Sequence, residues 1–180
     1  MMRKIPAALA VIIAGIVPFI DTYRPRKVRF HVSQSKSFTH KIPFIQELGV
    51  EFISAAGGRA VVALNLADWH LNSWAVAHGG VLLSLLDVAM AVAGWSLDPG
   101  AEGGVTVEMK TSFLQPAKAG SRLIASAHAF HSSRTLAFCE GEIRDTDDRL
   151  IAKAMGTFKT RKKSERNAGA KGPHVEKING

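Results

Sequence analysis

Residues 81–92 read VLLSLLDVAMAV, and only Ser84 and Asp87 interrupt the apolar run. Continued to its neighbours, the stretch spans residues 80–95, too long for an ordinary strand and well suited to a helix. A helix that is apolar on nearly every face is expected to be buried on nearly every face. Its second half carries Ala89, Ala91, Ala93 and Gly94, small residues that let a curved sheet approach closely. One helix wrapped by one antiparallel sheet is the economical way to bury both.

The flanks supply that sheet. A short helix is expected at 43–48, then strands at 50–56 and 59–66 joined by Gly57-Gly58, a strong hairpin signal. A loop follows at 67–77. After the helix and a loop at 97–104, strand patterns run over 105–113, 122–130, 135–144 and 150–160, with Asp145-Thr146-Asp147-Asp148 as a turn before the last. Two strands, one long helix and four strands make an α+β domain without internal repeats. Trp69, Trp74 and Trp95 flank the helix and are read as packing residues.

Within this helix Asp87 stands out. Burying an ionised carboxylate is costly unless it is paired or hydrogen-bonded, and no Lys or Arg lies one turn away. A structural reading would turn it to solvent through a gap, or let it accept a bond from Ser84. The helix opens, however, with His78-Gly79-Gly80. A helix N-terminus presents unpaired N–H groups and a positive dipole end, which suits a developing oxyanion. Glycine there lets a carbonyl reach the backbone without a Cβ in the way. Gly79 and Asp87 are eight residues apart, about 12 Å along a helix. One reacting carbonyl cannot touch both within one chain, so joint action requires a dimer with the site at its interface.

Composition limits the alternatives. The chain has 180 residues and a net charge of +8, but the charge is unevenly spread. Residues 1–41 carry +7 and residues 159–180 carry +5, whereas residues 42–158 carry −4. A nucleic-acid binder should hold its basic patch on the folded domain, so nucleic acid is not expected as a partner. A single cysteine, Cys139, allows neither an intrachain disulfide nor a Cys-rich zinc site. His128 and His131 lie three apart on the strand expected at 122–130 and its turn and need not converge, so no metal is expected. No Walker loop, G-x-G-x-x-G or G-x-S-x-G occurs, and no cofactor is called for.

The ends read differently from the middle. Arg3 and Lys4 precede an apolar run at 5–20, followed by Arg24, Arg26, Lys27 and Arg29. The run is shorter than the ~20 residues a spanning helix prefers. Residues 1–41 are therefore read as a leader, dispensable or loosely membrane-associated through residues 5–20, of a cytoplasmic protein. Residues 163–180 read as a flexible polar tail. The folded domain is expected at 42–162.

Asn72, His78-Gly79-Gly80 and Asp87 in this spacing resemble the PaaI-type hotdog-fold acyl-CoA thioesterases. So do Gly104 to Met109 (GVTVEM), Phe113 to Gly120 (FLQPAKAG) and Leu150 to Phe158 (LIAKAMGTF). The resemblance runs from about Ile42 to Lys162. It implies that a long central helix is wrapped by a curved antiparallel sheet, and that acyl-CoA is hydrolysed to free acid and CoA in a homodimer or homotetramer. It implies Asp87 as general base or nucleophile and Gly79 N–H as the group polarising the carbonyl. Asn72 and His78 would shape the pocket, Asn72 holding the attacking water or the acid. Thr106 stands where relatives often place Ser or Thr near the acid, although a β-branched residue on a strand needs no such reason. Arg134, Lys110 and the Arg161-Lys162-Lys163 cluster could meet CoA phosphates, and Trp74 or Trp95 could line an acyl pocket. The chain departs at Ala75 and Ser133, where relatives often have Gly. Two other functions share the scaffold. A hotdog hydratase or dehydratase uses a His/acid pair, against which the Gly-Gly directly after His78 argues. A non-catalytic acyl-CoA-binding module would usually carry an effector domain, which the first 41 residues do not resemble.

Overall fold

The computed structural model describes residues 42–162. The leader expected at 1–41, with its apolar run at 5–20, and the tail at 163–180 lie outside the described residues.

A one-turn helix, α1 (Pro43–Glu47), opens the domain, with Pro at its start, where the missing N–H costs nothing. Strands β1 (Glu51–Ala56) and β2 (Arg59–Asn65) form a hairpin in which Ala56 pairs with Arg59. Gly57 and Gly58 turn it with φ of +56° and +78°, the two positive values that a tight twisted hairpin needs. A short 3₁₀ turn (Asp68–His70) and a tight loop lead to α2 (Gly79–Trp95). Strands β3 (Ala101–Phe113), β4 (Arg122–Ser132), β5 (Leu136–Asp145) and β6 (Leu150–Lys162) complete the chain.

All six strands join one antiparallel sheet in the order β1-β2-β4-β5-β6-β3. Strand β3 follows the helix in sequence yet lies at the edge farthest from β1. The helix packs against one face of the sheet, where Leu85, Leu86, Met90 and Val92 meet Val62, Leu64, Leu123, Ile143, Ile151 and Phe158 in a single core. Each such side chain is worth about 1.5–3 kcal/mol of transfer free energy. Burial alternates residue by residue along β5, the pattern of a strand with one face on the core. The small residues matter where expected: a Cβ on Gly94 would stand 2.9 Å from Ala137 Cβ and 3.4 Å from Cys139 Sγ.

Three expectations need correction. Pairing of β3 starts at Ala101, inside the expected loop, because a register shift around Gly103 lets the chain keep its partners on β6. Gly103 has φ +147°, and the Trp95 ring packs where its Cβ would be. Second, the helix is not buried all round. Gly80 and Leu83 are exposed, and Ser84, Asp87 and Ala91 are half-buried, so one stripe stays open because the sheet covers only one side. Third, Trp69 and Trp74 do not pack in the core: they are 63% and 85% exposed. Both sit on the loop between β2 and α2, beyond the sheet's reach. Trp95 does pack against the core.

Candidate active site

The start of α2 is set by His78. Its backbone is extended, and its Nδ1 accepts a hydrogen bond from Gly80 N–H at 3.0 Å. The His78 carbonyl accepts from Val81 and Leu82 N–H, while His78 N–H donates to the His70 carbonyl. Of the N–H groups in this first turn, Gly79's alone has no acceptor among the described residues. It is the donor that an incoming oxyanion could use.

Behind it, His70 is buried, and its Nδ1 accepts from Ala67 N–H at 2.9 Å. That bond places the proton of the neutral ring on Nε2, which has no partner among the described residues. Asn72 closes the adjoining loop: its Oδ1 accepts from Trp74 N–H at 2.9 Å and from Val76 N–H at 3.4 Å. Those two bonds leave the amide NH₂ as the end available to a ligand. Asn72 and Gly79 both line a cleft of about 390 Å³, with Val76, Leu82, Phe113 and Leu114 among its walls.

Asp87 lies two turns further along the helix. Its Oδ1 accepts a 2.6 Å hydrogen bond from Thr106 Oγ1 on β3. Ser84 instead donates to the Gly80 carbonyl, so it does not serve the acid. Burial raises the Asp87 pKa above the ordinary carboxylate value, and the Thr106 bond partly opposes that rise. A half-buried carboxylate with a single hydrogen-bond donor is suited to take a proton or to attack carbon.

Residues 75–152 match the thioesterase superfamily. Human acyl-coenzyme A thioesterase 13 is 30% identical over 124 residues, covering 68% of this chain and 88% of that one. The PaaI protein of the E. coli phenylacetic acid degradation operon superposes with a TM-score of 0.63 at 30% identity, covering 67% of this chain and 86% of that one. The chain belongs to the thioesterase superfamily. A hypothetical thioesterase of Streptococcus pneumoniae, solved with coenzyme A, superposes with a TM-score of 0.58 at 26% identity, covering 63% of this chain and 89% of that one. The fold is therefore the hotdog, in its PaaI-type form.

Within this thioesterase the expected site residues separate into groups. Thr106 meets Asp87, whereas Asn72 and Gly79 both line the cleft at the helix start that His78 caps. The two groups are not brought together in one protomer, since eight helical residues span about 12 Å. Arg134 is exposed in the β4–β5 turn, next to Lys159 and Arg161 on β6, whose neighbour Thr160 N–H donates to the Thr135 carbonyl. This basic group lies at the end of the sheet where β3 begins. Lys110 is exposed on β3, two residues after Glu108, whose carboxylate accepts from Thr157 Oγ1. Glu108 and Lys110 share the face of the sheet that turns away from α2.

The two positions where the resemblance leads one to expect Gly differ from each other in backbone. Ala75 adopts φ +55°, the left-handed region where glycine is at ease and a Cβ is not. Ser133 has no such backbone, and its Oγ accepts from Leu136 N–H at 3.1 Å, so the side chain helps to make the turn.

Among the described residues no group of three or more His, Cys, Asp or Glu could hold a metal, and no helix is long and apolar enough to cross a membrane. His128 lies 3.6 Å from Glu140, and His131 stacks near Phe138. Burial pushes the Cys139 thiol up to about 11, which leaves it a packing residue rather than a nucleophile. Reading the sequence did not single out Phe113 as a site residue. The available signal was an aromatic side chain at the end of a strand, directly before the loop Leu114-Gln115-Pro116.

Proposed function

We propose that this thioesterase hydrolyses acyl-CoA at a site shared by two protomers, with Gly79 N–H from one and Asp87 from the other. The observation that carries the reading is the pair of uncommitted groups on one helix. A free N–H stands at its first residue, and a poised carboxylate stands about 12 Å along its axis. The open stripe of α2 supports the same arrangement. It exposes Gly80 and 40% of Leu83 beside the half-buried Ser84 and Asp87. A surface so poor in charge suits a second copy of the chain better than water.

In this reaction the Gly79 N–H polarises the thioester carbonyl and stabilises the oxyanion that forms when carbon is attacked. Asp87 either removes a proton from the attacking water or attacks carbon itself, giving an anhydride that water then opens. Collapse of the tetrahedral species breaks the C–S bond. CoA departs as thiolate and takes up a proton, leaving the free acid. The Asn72 amide NH₂ lies at the cleft to orient the water or the acid. Arg134, in the exposed β4–β5 turn, offers positive charge for the CoA phosphates, whereas Lys159 and Arg161, alternating with the core residue Phe158, share with Lys110 the face turned away from α2.

Complementation tests the shared site. Gly79→Pro deletes the N–H at a helix position that proline favours and after a residue already extended, and its added Cβ meets the Phe113 ring at ordinary contact distance, 3.4 Å. Loss of one oxyanion donor lowers kcat by roughly 100- to 1,000-fold, and Asp87→Asn should be similarly inactive. Refolded together in equal amounts, the two variants form hybrids in which one of two sites has both groups intact, and thiol release returns to about a quarter of the wild-type value. A mixture no more active than its parents would place both groups within one chain and overturn the shared site.

A further inference from the structure

We propose that the cleft beside Gly79 receives the acyl group, and that Phe113 sets the size of group it accepts. The inference rests on the thioesterase reading above and adds to it the place of the acyl chain.

The Phe113 ring points at the first residue of α2. A Cβ built on Gly79 would stand 3.4 Å from Phe113 Cζ, with the two adjoining ring carbons at 3.7 and 3.8 Å. The position is fixed by the sheet, for Phe113 pairs with Ala152, a fully buried residue of β6. The ring itself is 54% exposed, so it forms a wall of the cleft rather than part of the core. A carbonyl held by Gly79 N–H would have this ring beside the first atoms attached to it.

Either the acyl chain or the pantetheine arm could occupy that space, and the lining favours the acyl chain. Val76, Leu82, Leu114 and Pro116 supply hydrocarbon walls around Phe113. Three backbone N–H donors of the lining that might bind an amide are already used. Ala77 N–H donates to the Ala117 carbonyl at 2.8 Å, and Leu114 and Gln115 N–H both donate to the Ile151 carbonyl. Asn72 Oδ1 is occupied by the loop, which leaves its NH₂ and the Gln115 side chain as the polar side-chain groups of the lining, beside the Gly79 N–H that the thioester carbonyl would take. A pantetheine arm would bury two amides there with few partners, a costly arrangement. A hydrocarbon chain needs none. The volume, about 390 Å³, falls in the range of small-molecule sites, ~300–1,000 Å³, and exceeds what an acetyl group would fill.

The test compares kcat/KM for straight-chain acyl-CoAs from butanoyl to hexadecanoyl in the wild type, Phe113→Ala and Phe113→Trp. Removing the ring should shift preference towards long chains over short ones by about 10-fold or more, the worth of a methylene or two in an apolar site. The larger Trp should shift it the other way, and inhibition by free CoA should be unchanged in both. A uniform fall for every chain length would reduce Phe113 to a structural role and overturn the inference. Altered CoA inhibition with an unchanged chain-length profile would assign the cleft to the pantetheine arm and overturn it too. A wild type that releases no thiol from any of these substrates would instead overturn the thioesterase reading, and this inference with it.

Discussion

The first turn of α2 and the turn that carries Asp87 belong to one helix, yet they are built from opposite materials. At the first turn the group proposed to react is backbone. His78 absorbs the hydrogen bonds of its neighbours, glycine removes the side chain, and an apolar cleft opens alongside. At Asp87 the proposed group is a side chain, held by a hydroxyl from a strand and set on the stripe that the sheet leaves open. One region donates a proton dipole to negative charge, and the other carries negative charge. A reaction that develops an oxyanion while consuming a nucleophile requires both, and their separation along the helix makes a second protomer the economical way to unite them.

The largest expected effect breaks the comparison at its charged end. Asp87→Asn keeps the shape and the ability to accept from Thr106 but cannot act as a base or nucleophile. Thiol release should fall at least about 100-fold. Stability should move the other way or not at all. Burial raises the Asp87 pKa, so the carboxyl favours the fold fully only below its unfolded pKa, and that contribution is lost as pH rises through the folded value. At pH 7 the ionised group is a cost that Asn lacks. Thermal unfolding at pH 7 should therefore give a Tm no lower than the wild type's. A much lower Tm would make Asp87 a structural residue.

A smaller effect sharpens the comparison by tuning the acid without removing it. Thr106→Val keeps a β-branched side chain on β3 but deletes the 2.6 Å donor. The hydroxyl lowers the Asp87 pKa against the rise caused by burial. Without it the folded pKa climbs further, and the acid limb of the kcat/KM profile moves to higher pH. Thr106→Ser, which keeps the donor, should leave the limb in place. A limb that does not move in Thr106→Val would return Thr106 to the role of a strand former.

What the sequence discloses divides along the same line. The helix, the Gly57-Gly58 hairpin and the order of strands were legible because they follow from local periodicity and turn chemistry. Gly79 and Asp87 were legible because a helix start and an acid in an apolar run are local signals too. The Thr106 hydroxyl on Asp87 was legible only through family likeness, since nineteen residues and the sheet's curvature bring them together. The Phe113 wall was missed for a related reason. It forms where the end of β3 meets the loop before α2, joined by the isolated bridge of Val76 to Lys118, and no spacing records that meeting. Trp69 and Trp74 misled because a large aromatic side chain argues for burial by composition alone, whereas the loop that carries them projects beyond the sheet.

The smallest predicted effect concerns the loop that supports the Gly79 end. Ala75 holds φ +55°, between the Asn72 carbonyl that its N–H reaches and the strand-like bridge that begins at Val76. A left-handed backbone costs an L-residue about 1–2 kcal/mol. Glycine would remove that strain but would loosen the unfolded chain by about 0.4–1 kcal/mol. Ala75→Gly should therefore stabilise the protein by about 0.5–1 kcal/mol, read as a rise in Tm of a few degrees. Asp148, at φ +62°, is a control for the argument. A short polar side chain tolerates this region better than Ala does, so Asp148→Gly should gain less. If Ala75→Gly is neutral or destabilising, the loop beside Gly79 is already relaxed, and strain has no part in placing the helix end at the cleft.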